Sequence, residues 1–264
     1  MLVVQDIFKT FNPGTINEKR ALDGVSITLN EGDFVTVIGG NGAGKSTLLN
    51  ALAGVWPIDS GKILIDNVDI TMMQEHKRAK YLGRVFQDPM MGTAAGMEID
   101  ENLALANRRG KFRGLRSGIT TKEKAKYKEL LKSLDLGLEE RMTSKVGLLS
   151  GGQRQALTLL MASLKKPKLL LLDEHTAALD PKTAAKVLET TEKIVKKDTI
   201  TTLMITHNMK QAIAHGNRLI MMNKGRIIFD ISGEEKMQLT VDDLLQKFAE
   251  VSGQELANDR MMLS

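Results

Sequence analysis

Short apolar runs separated by turn-forming residues characterise the start of the chain. Residues 3–11 and 25–29 have strand length and lie on either side of the turn formers at 12–14, which predicts a small antiparallel sheet. Residues 34–38 are apolar apart from one threonine and lead into a glycine-rich loop. They are predicted to form a buried strand, with a helix over 46–53 immediately after the loop.

Strands and helices alternate along the rest of the chain. Strand-length runs occur at 62–70, 83–86, 168–172, 201–206, 219–222 and 226–229, and helical stretches at 98–164, 183–195, 209–214 and 241–248. This alternation predicts an α/β fold with a mainly parallel sheet. We expect a single domain over residues 1–264, with an inserted helical subdomain at about 98–164 and a C-terminal extension at about 233–264.

Composition narrows the function classes. The 264 residues are 42% hydrophobic and include no cysteine, so neither a disulfide framework nor a thiolate metal site is expected. No run approaches the roughly 18 apolar residues of a membrane span, and the first residues lack the pattern of a signal peptide. The chain is therefore expected to be soluble or peripheral and inside the cell. A net charge of +5 suits nucleic acid, an anionic membrane or nucleotides and does not choose among them.

One segment, 108–126, is strongly basic. It carries Arg108, Arg109, Lys111, Arg113, Arg116, Lys122, Lys124 and Lys126. Its single acid is Glu123. A solvated loop and helix face is the favoured interpretation, and contact with anionic lipid or an acidic partner is the alternative.

The glycine-rich loop fits the phosphate-binding pattern G-x-x-x-x-G-K-[ST] in full. The matching residues are Gly39, Gly40, Asn41, Gly42, Ala43, Gly44, Lys45 and Ser46. Glycines let backbone N–H groups approach phosphates, and the helix N-terminus adds a partial positive charge. Lys45 is expected at the β- and γ-phosphates, Ser46 at Mg²⁺, and Thr47 at a further phosphate oxygen. ATP and Mg²⁺ are the predicted ligands.

Two carboxylates follow the apolar strand near residue 170. Asp173 and Glu174 come directly after four leucines, and ligands of open α/β sheets bind at that end of the strands. Asp173 is a predicted Mg²⁺ ligand. Glu174 is predicted to orient the attacking water or accept its proton. Together with the phosphate loop, the pair predicts a nucleotide hydrolase.

A third motif identifies the type of hydrolase. Its residues are Leu149, Ser150, Gly151, Gly152 and Gln153. This pentapeptide resembles the signature of ATP-binding-cassette ATPases. The order along the chain is also similar to that family: phosphate loop, Gln87, signature, acidic pair, Ala178-Leu179-Asp180, and then His207. Taken from the residues alone, Ser150 and the two glycines could equally be a helix cap.

The resemblance assigns roles to several residues. It implies a head-to-tail dimer in which ATP lies between Lys45 of one subunit and Ser150 of the other. Because this chain contains all the motifs, a dimer of two copies is favoured over a heterodimer. Asp180 would lie at the seam of that dimer. The remaining assignments are Gln87 at Mg²⁺ and the attacking water, His207 at the γ-phosphate, and Phe11 stacked on adenine.

The resemblance also implies a membrane partner. In the family the region after Gln87, here residues 88–96, meets the transmembrane permease, so its methionines are either a docking surface or core residues. His175 departs from the family, which usually has proline after the acidic pair. The stretch from His175 to Asp180 is similar to ATPases of bacterial uptake systems for amino-acid-type substrates.

These features predict an ATPase subunit on the cytoplasmic face of the membrane. It would drive transport, with import favoured over export, through a separate permease and indirectly with a substrate-binding protein. The alternative is a pore-free cassette ATPase acting on nucleic acid or ribosomes. The absence of sustained heptads and of a second cassette makes a nucleic-acid partner unexpected.

Overall fold

The strands are divided between two sheets in the computed structural model, which describes residues 1–110 and 118–252. In chain order the strands are β1 (Leu2–Phe11), β2 (Lys19–Leu29), β3 (Phe34–Ile38), β4 (Ser60–Ile65), β5 (Val68–Asp69), β6 (Leu82–Val85), β7 (Leu169–Asp173), β8 (Thr202–Ile205), β9 (Arg218–Asn223) and β10 (Arg226–Ser232). The first sheet has the order β2-β1-β4-β5 and is antiparallel. The second has the order β10-β9-β3-β8-β7-β6 and is parallel except for the β9–β10 hairpin.

The helices pack around this second sheet and in a separate insertion. They are α1 (Lys45–Ala53), α2 (Glu75–Arg78), α3 (Ile99–Asn107), α4 (Thr121–Lys132), α5 (Gly151–Ser163), α6 (Pro181–Asp198), α7 (Met209–Ala214), α8 (Gly233–Gln238) and α9 (Val241–Ser252), with 3₁₀ turns at Leu138–Glu140 and Val146–Leu148. α3 and α4 share a buried cluster with α5 around Leu103, Tyr127 and Leu131. The predicted fold class, with a parallel core, an N-terminal antiparallel sheet and a helical insertion, is confirmed. In the described part of the chain, no helix is both long and apolar enough to cross a membrane.

Two strand predictions differ from the structure. β2 begins at Lys19 rather than at 25, because its pairing with the long β1 continues to Phe11. The single strand predicted over 62–70 is divided into β4 and β5. Asp66 and Asn67 between them both have positive φ, at 48° and 63°, as in a tight two-residue hairpin that matches the twist of its strands.

Part of the basic segment is engaged within the protein. Arg108 pairs with Glu123, and Lys124 pairs with Asp100 at 3.3 Å. Arg109 donates a hydrogen bond to the carbonyl of residue 162, and its burial lowers the pKa of the guanidinium. Residues 111–117 lie outside the described residues, as do residues 253–264 of the predicted C-terminal extension.

β7 shows how the core holds the second sheet. Leu169 and Leu171 pack into a cluster shared with both sheets and α1. Leu170 and Leu172 point to the other face, into a cluster with α5 and α6. All four leucines are at most 1% exposed, and each such burial stabilises the fold by about 1.5–3 kcal/mol. The strand is therefore fixed from both sides, and so is the position of the acids at its end.

A buried lysine secures the end of α7. Lys236 is 1% exposed, and its ammonium donates to the carbonyls of Ile213 and Gly216 at 3.0 and 2.9 Å, and also to that of His215. These carbonyls lie at the C-terminal end of the helix, where a positive charge is favoured. Burial lowers the pKa of Lys236 to about 8, so the group remains mostly charged at neutral pH.

Replacing this lysine should destabilise the fold. Lys236→Met leaves three carbonyls without their donor, which we expect to lower the free energy of unfolding by about 2 kcal/mol and the melting temperature by about 4–8 °C. The matched control is Lys247→Met on α9, because Lys247 is half-exposed and its partner among the described residues is Glu250. Its melting temperature should stay near that of the parent. Equal losses in the two variants would contradict the capping role.

Candidate active site

The phosphate loop joins the buried strand β3 to α1. Gly39 and Gly44 have φ of 150° and 102°. A Cβ added at these glycines would lie 2.2 Å from the carbonyl oxygen of Met222 and 2.5 Å from that of Ala21, respectively. Backbone conformation and close packing therefore both require glycine at these two positions.

Lys45 is hydrogen-bonded to the backbone of the phosphate loop. Its side chain is 5% exposed, and its ammonium donates to the carbonyls of Gly39 and Gly40 at 2.7 and 3.1 Å. The positive charge is thus held beside the inward-turned backbone, where an anion would meet it together with the N-terminus of α1.

A cavity of about 280 Å³ lies against the loop. Its walls comprise Phe11, Lys19, Ala21, Asn41, Gly42, Ala43, Gly44, Lys45, Ser46, Thr47, Glu174 and His207. The fold thus brings most of the predicted nucleotide-binding residues to one place and joins them to the two residues predicted to act on the γ-phosphate. Gly39 and Gly40 are not among the described residues that line the cavity, but their carbonyls accept from Lys45, which does line it.

Phe11 lies at the wall of this cavity, at the end of β1. Its ring meets the edge of Trp56 with centroids 5.0 Å apart and planes at 82°, and the Lys9 ammonium lies 5.6 Å from its centroid. The partner ring fixes the orientation of the phenylalanine. Phe11 thus lies at the cavity that contains the phosphate loop, where the predicted stacking on adenine would occur.

The predicted base and the predicted γ-phosphate sensor are in direct contact. Glu174 Oε1 lies 2.5 Å from His207 Nε2. Glu174 has a φ of 45°, an uncommon left-handed conformation for a residue with a side chain, and its N–H donates to the carbonyl of Ile205 on the neighbouring strand β8. Sheet pairing therefore holds the backbone that aims this carboxylate into the cavity.

Asp173 is paired with an arginine that the sequence analysis missed. Burial raises the pKa of the Asp173 carboxyl and the Glu174 charge also raises it, whereas Arg84 opposes both. Arg84 Nη2 lies 3.5 Å from Asp173 Oδ2 and 2.8 Å from Asn50 Oδ1 on α1. Its guanidinium also lies 4.5 Å from the ring centroid of Phe86. A charged residue inside the short strand β6 was the available signal, because a buried charge needs a partner.

Gln87 is not brought to the cavity wall. It is exposed in the bend that follows β6, and it is absent from the described residues that line the cavity. β6 is the edge strand beside β7, so Gln87 stands near the acidic pair at the same end of the sheet without entering the space around Lys45.

The signature residues form the capped start of α5. Ser150 Oγ accepts from the N–H of Gln153 at 3.3 Å, and Gln153 Oε1 accepts from the N–H of Ser150 at 3.2 Å, so Ser150 caps α5 in a reciprocal capping box. Ser150 and Gly151 are exposed, whereas Leu149 and Gly152 are buried. None of the signature residues is among the described residues lining the phosphate cavity.

Asp180 performs the same capping role for α6. Its carboxylate accepts from the N–H of Thr183 at 3.1 Å. Hydrogen bonding from the Thr183 side chain, and then from its N–H, lowers the pKa of Asp180. The two helix starts touch, since a Cβ added at Gly152 would lie 2.1 Å from Cγ2 of Thr183. The signature and the predicted seam residue therefore share one packed surface.

Comparison with known proteins identifies the family. The model of the ABC transporter family matches residues 22–177, more than half of the chain. The chain belongs to the ABC transporter family. It is 47% identical to a tyrosine transport ATP-binding protein of Clostridioides difficile over 249 residues, which are 94% of this chain and 98% of the relative. It is 34% identical to a spermidine/putrescine import ATP-binding protein of Haemophilus influenzae, over 89% of this chain and 59% of that relative.

A solved structure supports the same assignment. A dimeric ATP-binding cassette in a post-hydrolysis state, bound to ADP and phosphate, superposes with a TM-score of 0.74 at 30% identity, over 88% of this chain and 98% of its own. This ABC chain is accordingly an ATPase, and ATP is its nucleotide.

Packing between the two helix starts can be tested by mutagenesis. Gly152→Ala places a methyl group against Thr183, and we expect a loss of about 1–3 kcal/mol in the free energy of unfolding. Adding Thr183→Ser removes the obstructing Cγ2 and should restore most of the loss. Denaturant unfolding measures both, with Gly151→Ala as the milder control because its nearest neighbour, at 3.3 Å, is the tip of Leu179. Failure of the second change to restore stability would contradict this packing account.

Proposed function

We propose that this ABC ATPase powers uptake of an aromatic amino acid through a separate transmembrane permease. One observation carries the proposal. The phosphate cavity of the chain contains Lys45, Glu174 and His207, while the exposed Ser150 caps a helix elsewhere. Each chain thus offers two half-sites, which a head-to-tail dimer would join around ATP, as supported by the dimeric cassette with bound ADP and phosphate.

The cavity supplies the groups that γ-phosphate cleavage needs. Lys45 and the loop N–H groups would balance the charge that develops on the phosphate oxygens. Glu174 would orient the attacking water and accept its proton. His207 contacts Glu174 through Nε2, and it would act as the sensor by donating that N–H to the γ-phosphate in place of Glu174. The signature of the second copy would complete the anion site from the opposite side.

The donor set of the site suits Mg²⁺. Ser46 offers a hydroxyl oxygen and Asp173 a carboxylate, with Gln87 nearby as an amide oxygen, and hard cations prefer such oxygen ligands. Magnesium commonly binds through one or two protein oxygens together with substrate phosphates and water. When bound, it would neutralise charge on the phosphate oxygens.

Exposed apolar side chains beside the signature helix suit a permease interface. Met90 and Met91 are 43% and 69% exposed and Leu148 is 71% exposed. Arg154 on α5 connects these parts, because its guanidinium contacts Met90 and donates to the carbonyls of Gly147 and Leu149. Flexible methionines adapt to a partner surface. Segment 88–96 therefore offers a docking surface rather than core residues.

The substrate and direction are proposed from the named relatives. A tyrosine transport protein is 47% identical over nearly the whole chain, whereas the polyamine import relative is 34% identical. An import system of this kind would place the chain on the cytoplasmic face of the membrane, with a substrate-binding protein acting on the permease from the other side.

Removing the proposed base should abolish turnover and spare binding. Glu174→Gln keeps the shape of the side chain and loses its basicity, so we expect kcat to fall by about 10²- to 10⁴-fold with ATP affinity preserved. Phosphate release and fluorescent-nucleotide binding measure the two quantities. The control is Glu250→Gln, because Glu250 is half-exposed on α9 and pairs with Lys247. An unchanged kcat in Glu174→Gln would contradict the assignment of Glu174 as the base.

Capture from native membranes tests the transporter assignment. Glu174→Gln with Mg²⁺ and ATP should hold the dimer closed and retain a permease and a substrate-binding protein from detergent-solubilised membranes. Adding Met91→Glu should weaken this capture. The same change at Met237, which is 78% exposed on α8, should not. Tyrosine, and not spermidine, should stimulate ATP hydrolysis when the parental chain, with Glu174 intact, is combined with the captured permease and substrate-binding protein.

The outcomes separate the alternatives. Capture of soluble proteins or nucleic acid alone would leave the ATPase intact and overturn the transporter proposal. Stimulation by spermidine alone would contradict the proposed substrate and leave the transporter proposal in place. Equal capture by the Met91 and Met237 variants would contradict the proposal that segment 88–96 is the docking surface.

A further inference from the structure

His175 occupies a turn position that commonly takes proline. The N–H of Ala177 donates to the carbonyl of Glu174 at 3.0 Å, so His175 is the second residue of a four-residue turn that begins at Glu174. A proline at that position would preset φ before the chain folds. Histidine does not restrict φ in this way, so the conformation of this turn must be secured by other contacts.

The histidine side chain supplies such a contact. Its imidazole is 2% exposed, and its Nε2 lies 3.1 Å from Oγ1 of Thr191 on α6. Thr191 is fully buried, and its hydroxyl donates to the carbonyl of Val187 at 2.8 Å. A hydroxyl group has one hydrogen. The histidine must therefore be the donor, with its proton on Nε2.

This bond joins the turn to a rigid element. Thr191 lies eleven residues after Asp180, about 16 Å along α6 at the usual helical rise, and α6 itself begins at the Asp180 cap. The connection over 176–179 is therefore held at both ends by α6: through the side chain of His175 at one end and through the Asp180 cap at the other.

We propose that His175 is a positioning residue for hydrolysis, which holds the turn that starts at Glu174 by anchoring it to Thr191 on α6. Proline would fix the conformation of this turn by restricting its own φ. Here the hydrogen bond between His175 and Thr191 fixes the conformation instead. A displacement of about 1 Å at a reacting group is enough to reduce turnover strongly, and Glu174 directly precedes the anchored residue. The proposal rests on the proposed role of Glu174 as the base.

Threonine variants separate positioning from packing. Thr191→Val keeps the volume and removes the acceptor, and we expect kcat for ATP to fall by about threefold to tenfold while KM changes by less than about twofold. Thr191→Ser keeps the hydroxyl and should restore kcat. The matched control is Thr190→Val, because the Thr190 hydroxyl donates to the carbonyl of Lys186 at 2.8 Å in the same helical pattern. It should retain the parental kcat.

Melting temperatures and nitrogen NMR complete the test. In the parent, the His175 imidazole should show a proton on Nε2 and none on Nδ1, and this signature should change in Thr191→Val. A proton on Nδ1 in the parent would overturn the assignment of donor and acceptor. A kcat in Thr191→Val equal to that of Thr190→Val, with similar melting temperatures, would overturn the positioning role. Failure of the base assignment is recognised separately, because it would leave Glu174→Gln active.

Discussion

Parallel hydrogen bonding between β3, β8 and β7 is the constraint on which the active site depends. In this register Val37 faces Ile205, and Ile205 faces Asp173. The carboxyl ends of the three strands therefore meet at one edge, where the phosphate loop, the acidic pair and His207 follow in turn. A slip of one residue would turn side chains to the opposite face and would separate Glu174 from His207.

Polar contacts outside the cavity further fix the positions of the residues that the sheet brings together. Lys236 secures one end of α7, whose other end follows His207. Arg84 connects Asp173 with Asn50 on the helix of the phosphate loop. Neither Lys236 nor Arg84 is among the described residues that line the cavity. They restrict how far the residues of the cavity can move relative to one another, which is the condition for catalysis by prearranged charge.

Local sequence patterns predicted the parts of the fold that depend on local chemistry. The phosphate loop, the leucine strand and the capped start of α5 all follow from residues within a few positions of each other. Residue partners distant in the chain were not predictable in this way. The charge of Arg84 indicates that it needs a partner, but nothing near it in the sequence identifies Asp173 as that partner, and nothing near His175 identifies Thr191. The early start of β2 was missed for the same reason, because it depends on the length of β1.

The exposed cap of α5 affects how the ATPase behaves in dilute solution. Under the proposed sandwich, hydrolysis requires an encounter between two chains, so turnover per chain falls as the concentration falls. Binding of two copies to one permease replaces this encounter with a high effective concentration. A free subunit would then hydrolyse little ATP, and most hydrolysis would occur in the membrane complex.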